Sequence, residues 1–135
     1  MGLIEWTEEM SVGIEEFDTH HKRIVSIINH LDVLLETRDN RDQIETILAE
    51  LSNYCLYHFF AEEDAMTRFN YKMYAEHKKE HLIFTEKIFQ FLEDMHSGKE
   101  DISRNLLAFL WAWLKNHILV TDKQYSADLR AGGIS

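Results

Sequence analysis

The chain contains no proline, and between Gly13 and Gly132 only Gly98 interrupts it. Proline and glycine are the strongest local breakers of regular structure, so a long run almost free of both reads as helix throughout. The remaining punctuation divides that run. We expect a non-helical arm at residues 1–17, helices over 18–37, 41–68, 71–96 and 101–119, and a tail at 120–135 with a final turn around Gln124 to Leu129. Asp18 is placed as the N-cap of the first helix, and Asn40 with Gln43 has the form of a capping box for the second. Arg38-Asp39-Asn40 supplies the first turn, and Ser97-Gly98 stops the third helix.

Each helix carries an apolar stripe with three-four spacing, the signature of a buried face. The first stripe is His21, Ile24, Ile28, Leu31 and Leu35. The second is Ile44, Ile47, Leu48, Leu51, Cys55, His58 and Glu62. The third is Tyr74, His77, His81, Phe84, Ile88, Phe91 and Met95, and the fourth is Ile102, Leu106, Phe109, Trp113 and His117. Connections of a few residues force neighbouring helices antiparallel. The predicted fold is all-α: one domain over residues 1–135, an up-down-up-down antiparallel four-helix bundle with an N-terminal arm.

The polar residues on these stripes carry the chemistry. His21, His58, Glu62, His77, His81 and His117 sit where leucine would be cheaper, because an unpaired buried polar group costs roughly 1–3 kcal/mol. Five inward imidazoles beside an inward glutamate cannot all satisfy one another, which favours a metal. Glu62 follows His58 by four residues and His81 follows His77 by four, so each pair leaves one helix face. Asp122 follows His117 by five, which on a regular helix is roughly 140° out of line. The two converge only if the helix ends or loosens between them, and on geometry alone Asp122 could instead cap a following turn. Structural zinc prefers four ligands and often thiolates, and calcium and magnesium prefer oxygen. Imidazole with bridging carboxylate suits iron, and a set of this size suits two ions. The paired Glu-x-x-His strings of ferritin-like di-iron bundles are missing, since only Glu93 to His96 has that form.

A resemblance rests on these residues and their neighbours. Trp6, Val12-Gly13-Ile14, Asp18-Thr19-His20-His21, His58-Phe59-Phe60-Ala61-Glu62-Glu63, His77-Lys78-Lys79-Glu80-His81 and Trp113-Leu114-Lys115-Asn116-His117-Ile118, closing on Asp122, resemble the hemerythrin family in its single-domain bacterial form. The resemblance runs from about Trp6 to Asp122 and fills every ligand position. The family shows the same spacing from His117 to Asp122, which turns that aspartate from a cap into a ligand. One departure is His20, where the family usually has Gln; it bears on the surroundings of His21.

The resemblance implies a non-haem di-iron centre cycling between Fe2+ and Fe3+. His77, His81 and His117 would hold one iron. His21 and His58 would hold the other, with a position left open for O2. Glu62 and Asp122 would bridge, together with an oxo or hydroxo group. The implied function is reversible dioxygen binding for storage, delivery or buffering, with O2 as ligand and no catalytic residue. Trp113, four residues before His117, is a candidate for the oxygen pocket, as are Ile24, Ile28, Leu114 and Ile118; each would serve equally as core. Two other readings fit the same site: an oxygen- or redox-sensing module of a signalling protein, and a di-iron oxidase or peroxidase. Iron sequestration is a third, and would require more iron than one pair. The partner would be an oxygen-accepting protein or a fused signalling domain.

Charge removes several classes. Lys plus Arg is 14 and Asp plus Glu is 24, a net charge of −10, which repels nucleic acid and anionic membrane surfaces. There is no apolar run long enough to insert in a membrane. Residues 1–10 are acidic and lack a signal-peptide core. Cys55 is the single cysteine, so no internal disulfide forms, and a cytoplasmic location is expected. His77 to His81 also fits the His-x-x-Glu-His string of some zinc peptidases, a reading that leaves the other ligands unexplained. Glu80 is then a solvated residue or a partner of a ligand. Cys55 reads as a small buried hydrophobe, His30 as solvent-facing, and Thr121 as a polar neighbour of Asp122.

Overall fold

The computed structural model describes residues 4–37 and 40–133. They form α1 (Glu15–Leu34), α2 (Arg41–Arg68), α3 (Tyr74–His96), α4 (Ile102–Trp113) and α5 (Asp122–Ala131). A short 3-10 turn lies at Glu8–Met10, and a π-helical stretch at Leu114–Thr121 joins α4 to α5 without a break. The rods of the bundle are therefore α1, α2, α3 and the continuous run 102–131. α2 packs against α1 and α3, and α4 against α1 and α3, closing an antiparallel four-helix bundle.

The apolar stripes meet along the bundle axis. Ile24, Leu31, Leu48, Leu51, Phe84, Leu106 and Leu110 are completely buried, and each such side chain contributes roughly 1.5–3 kcal/mol by leaving water. Tyr54 and Leu110 belong to this core and were absent from the expected stripes. Leu34 takes the buried place expected of Leu35, which is only partly covered. A second, smaller core joins Val12, Ile14 and Phe17 to Met66, Tyr125 and Leu129.

The ends of the elements depart from expectation, each for a local reason. α1 begins at Glu15 with Ile14 as its N-cap. Asp18 therefore lies inside the first turn, and its carboxylate accepts the Val12 N–H at 2.8 Å and the Ser11 hydroxyl at 2.5 Å. It ties the arm back onto the helix instead of capping it. Asn40 is the N-cap residue of α2 but makes no capping bond. Its amide donates to the Leu34 carbonyl at 2.8 Å and so closes α1, and the box with Gln43 does not form. The expected turn residues Arg38 and Asp39 lie outside the described residues, as do 1–3 of the arm and 134–135 of the tail. α2 ends on Asn70, left-handed at φ 54°, with the Tyr71 N–H reaching the Met66 carbonyl at 2.9 Å. Asparagine does here what glycine usually does at a helix C-terminus, and it moves the start of α3 from Tyr71 to Tyr74.

The largest correction concerns the tail, which is the helix α5. Tyr125 and Leu129 are fully buried and anchor it on Val12 and Ile14 of the arm and on Phe17 of α1. Gly13 makes that contact feasible. It sits at φ +76°, and a Cβ there would lie 2.8 Å from the Arg130 side chain of α5.

Candidate metal centre

His21 on α1, His58 and Glu62 on α2, His77 and His81 on α3, His117 in the π stretch and Asp122 at the start of α5 converge at one level of the bundle, none more than 2% exposed. They fall into two overlapping groups. One is Glu62, His77, His81, His117 and Asp122; the other is His21, His58, Glu62 and Asp122. Within each, one donor atom per residue lies within 4.8 Å of all the others. Glu62 and Asp122 are common to both.

The π stretch is what brings Asp122 in. Its i→i+5 hydrogen bonding is wider than the α-helical repeat, so residues five apart face the same way. His117 Nε2 and Asp122 Oδ1 end 3.0 Å apart. The cap reading fails because neither Asp122 oxygen makes a hydrogen bond.

Each imidazole points Nε2 inward. The shortest approaches are His21 to Asp122 at 3.0 Å, His58 to Glu62 at 3.2 Å, His77 to Asp122 at 2.8 Å and His81 to Glu62 at 3.0 Å. Despite these distances no Nε2 forms a hydrogen bond of acceptable angle, and Glu62 Oε1 lacks one too. Buried polar atoms are almost always hydrogen-bonded. A set of orphaned nitrogens and carboxylate oxygens crowded together, and not aligned on one another, fits metal ions as the shared missing partner.

The outer nitrogens of His81, His117 and His58 differ in what they meet, while Nδ1 of His21 and of His77 has no hydrogen-bond partner. His81 Nδ1 meets Glu63 Oε2 at 2.9 Å, and His117 Nδ1 meets Glu80 Oε1 at 2.8 Å. The Thr121 hydroxyl donates to the same Glu80 oxygen at 3.2 Å. An N–H given outward to a carboxylate leaves the Nε2 lone pair inward and raises its basicity. His58 Nδ1 instead meets His20 Nδ1 at 2.7 Å. The departure at His20 thus acts on His58, and not on its neighbour His21 as the sequence suggested. Aromatic rings wall the imidazoles: Trp113 stacks on His117 at 3.8 Å, Phe59 on His81 at 4.0 Å, and Tyr54 on His58 at 4.7 Å. Ile24, Ile28, Leu114 and Ile118 are all buried in the main core.

Electrostatics follow from two fully buried carboxylates. Burial opposes a charge on His21, but contact with Asp122 and Glu62 outweighs it and lifts its pKa to about 9. His77 behaves alike and rises to about 10, and His117 is also raised. For His58 burial wins over the attraction of Glu62, and its pKa falls to about 4. Burial opposes the charge on Glu62 and Asp122 as well, yet the surrounding imidazoles hold both carboxyls well below the usual range. Without metal, protons on His21 and His77 balance the carboxylates.

Tyr54 and Tyr125 were not singled out from sequence, and Glu63 entered only as the last residue of the His58–Glu63 motif, with no role of its own. Tyr54 stands four residues before His58, on its face, and that spacing could have found it. The Tyr125 hydroxyl donates to Glu62 Oε2 at 2.5 Å; it was hidden because the tail was not expected to be helical. For Glu63 no periodic signal existed.

Clustered imidazoles around two shared carboxylates, buried in a four-helix bundle, define a helical two-metal protein. Residues 12–129 match the family described as the hemerythrin HHE cation binding domain, and the chain belongs to the hemerythrin family. It is 33% identical over 131 residues to a bacteriohemerythrin of Stenotrophomonas maltophilia (strain R551-3), covering 97% of this chain and 84% of that one. A bacteriohemerythrin of Clostridium acetobutylicum is 32% identical over 127 residues, covering 91% and 98%. The crystal structure of a wild-type hemerythrin superposes with a TM-score of 0.85 at 31% identity, covering 95% of this chain and 98% of that chain.

Proposed function

We propose that the chain binds dioxygen reversibly at a pair of non-haem irons. The observation that carries this reading is the split of the imidazoles around shared Glu62 and Asp122. His77, His81 and His117 would saturate one iron, and His21 with His58 would leave the other a free position. Two irons held this way would supply the electrons that dioxygen takes on binding and returns on release. The chain's own residues do the rest. Glu62 and Asp122, common to both groups, would hold the two ions. Glu63 and Glu80 fix the rings of His81 and His117. Trp113, Ile24, Ile28, Leu114 and Ile118 keep water and protons away.

Binding, as opposed to turnover, is favoured by the donor set. A site rich in imidazole and poor in carboxylate places less negative charge on the metals and stabilises high-valent iron less. The role is storage, delivery or buffering in a cytoplasm; no helix among the described residues is long and apolar enough to cross a membrane. The test is to expose the reduced, iron-loaded protein to oxygen and then sweep it with argon. An optical band that appears and disappears over repeated cycles, with about two irons per chain, is the expected result. Steady consumption of O2 and reductant would replace this reading with an oxidase, and zinc retained after iron-replete expression would end the di-iron assignment.

A further inference from the structure

Tyr54 is completely buried, and its hydroxyl has no hydrogen-bond partner. Leaving a hydroxyl unsatisfied is costly, and phenylalanine would keep the same shape without that cost. The neighbouring core positions Phe59 and Phe84, whose rings lie 5.4 and 6.0 Å from Tyr54, do use phenylalanine. Tyr125, the other fully buried tyrosine, spends its hydroxyl on Glu62. Tyr54 therefore stands alone as a buried phenol with a donor to give.

Its position says to what. Tyr54, His58 and Glu62 follow one another at four-residue intervals on α2, so they share one face. The Tyr54 ring lies nearly parallel to the His58 imidazole, 18° apart, at 4.7 Å. His58 belongs to the group with fewer imidazoles, where the proposed function leaves room for an outside ligand. We propose that the Tyr54 hydroxyl is the hydrogen-bond donor to the ligand held on the His21 and His58 side. This rests on the dioxygen reading and adds to it a residue that sets how long the ligand stays and which ligands are preferred. The ligand class is small and hydrogen-bond-accepting: dioxygen, or an anion such as azide. A ligand that draws negative charge from the metals makes the bond charge-assisted and so stronger. The loss of such a bond shows mainly in the dissociation rate.

The experiment compares the parent with Tyr54→Phe and Tyr54→Leu. Stopped-flow gives the rate at which oxygen leaves the reduced, loaded protein, and titration gives azide affinity of the oxidised form. Urea unfolding of the metal-free chains gives a readout independent of iron. For Tyr54→Phe we expect oxygen to leave about three- to tenfold faster and azide to bind about three- to tenfold more weakly. Metal content should be unchanged, and the metal-free chain at least as stable as the parent. Tyr54→Leu, which also removes the stack on His58, should in addition hold metal less tightly. A Tyr54→Phe protein with the parent's oxygen and azide behaviour overturns the donor role. So does a less stable metal-free Tyr54→Phe, or one that loses metal, because the hydroxyl would then serve the fold or His58. If the parent itself forms no oxygenated band, the dioxygen reading falls, and the azide comparison alone decides the role of Tyr54.

Discussion

On one side of the metal centre, His81 and His117 hand their outer N–H groups to Glu63 and Glu80 and lie flat against Phe59 and Trp113. On the other, His58 leans on a second imidazole, His20, and on the phenol ring of Tyr54; one imidazole on each side, His77 on the first and His21 on the second, has no hydrogen-bond partner at Nδ1. Both sides share Glu62 and Asp122, so the difference lies in what stands behind the imidazoles. Carboxylate backing makes a ligand more basic and fixes its ring. Neutral backing does neither to the same degree. The bundle thus builds one firmly held side and one that gives less to its metal, which suits a division between anchoring an ion and exchanging a ligand.

The largest effect should come from deleting one imidazole on each side. His58→Ala leaves its side with His21 alone and should bring metal content to about one iron per chain, while His117→Ala, which keeps His77 and His81, should retain more. Metal analysis after gel filtration measures both, and equal losses would erase the asymmetry. Next come the backing groups. Glu80→Gln or Glu63→Gln should lower metal affinity about 10- to 100-fold in competition with a chelator. His20→Gln exchanges one neutral partner for another and should change it far less. If His20→Gln costs as much as Glu80→Gln, charge behind the ligand is not what separates the sides.

Protons give a third measure. In the metal-free chain His21 and His77 bind protons more tightly folded than unfolded. Their contribution to stability is complete below the ordinary histidine value of about 6.5 and is lost as pH rises through about 9 and about 10. His58 runs the other way, contributing fully above about 6.5 and losing this as pH falls through about 4. Metal-free stability, followed as the urea midpoint in chelator, should therefore peak near neutrality; a maximum at strongly alkaline pH would contradict these assignments. Loading metal at pH 7 should expel about two protons per chain, readable by calorimetry in buffers of different ionisation enthalpy. The smallest effect is expected of Trp113→Phe. Trp113→Ala should cost roughly 3–5 kcal/mol of stability, but Trp113→Phe should keep the fold and the metal and only modestly hasten decay of the oxygenated band. Unchanged decay would pass the shielding role to Ile24, Ile28, Leu114 and Ile118.

The inward histidines and Glu62 were legible because α-helical periodicity is local, and a polar residue on an apolar stripe stands out. Convergence of Asp122 on His117 was legible only through the family resemblance, because periodicity puts the two out of line and no single residue announces the widened helix that joins them. The helical tail was also hidden. Its net propensity is unremarkable, and it is held by tertiary burial of Tyr125 and Leu129 against the arm. His20 shows the limit of periodicity from the other side. It lies off the inward stripe of α1, yet it reaches His58 because that imidazole comes from a neighbouring helix.

The widened helix also sets the rotational phase of the last rod. A single residue removed from within Leu114–Thr121 would turn everything downstream by roughly 100°. Asp122 would swing out of the metal site, and Tyr125 and Leu129 would leave the arm in the same movement. Metal loading and C-terminal docking are therefore indexed by one local register. Length variation should be tolerated at the Ser97-Gly98 turn, where a Cβ on Gly98 would meet nothing within 4 Å, and rejected between His117 and Asp122.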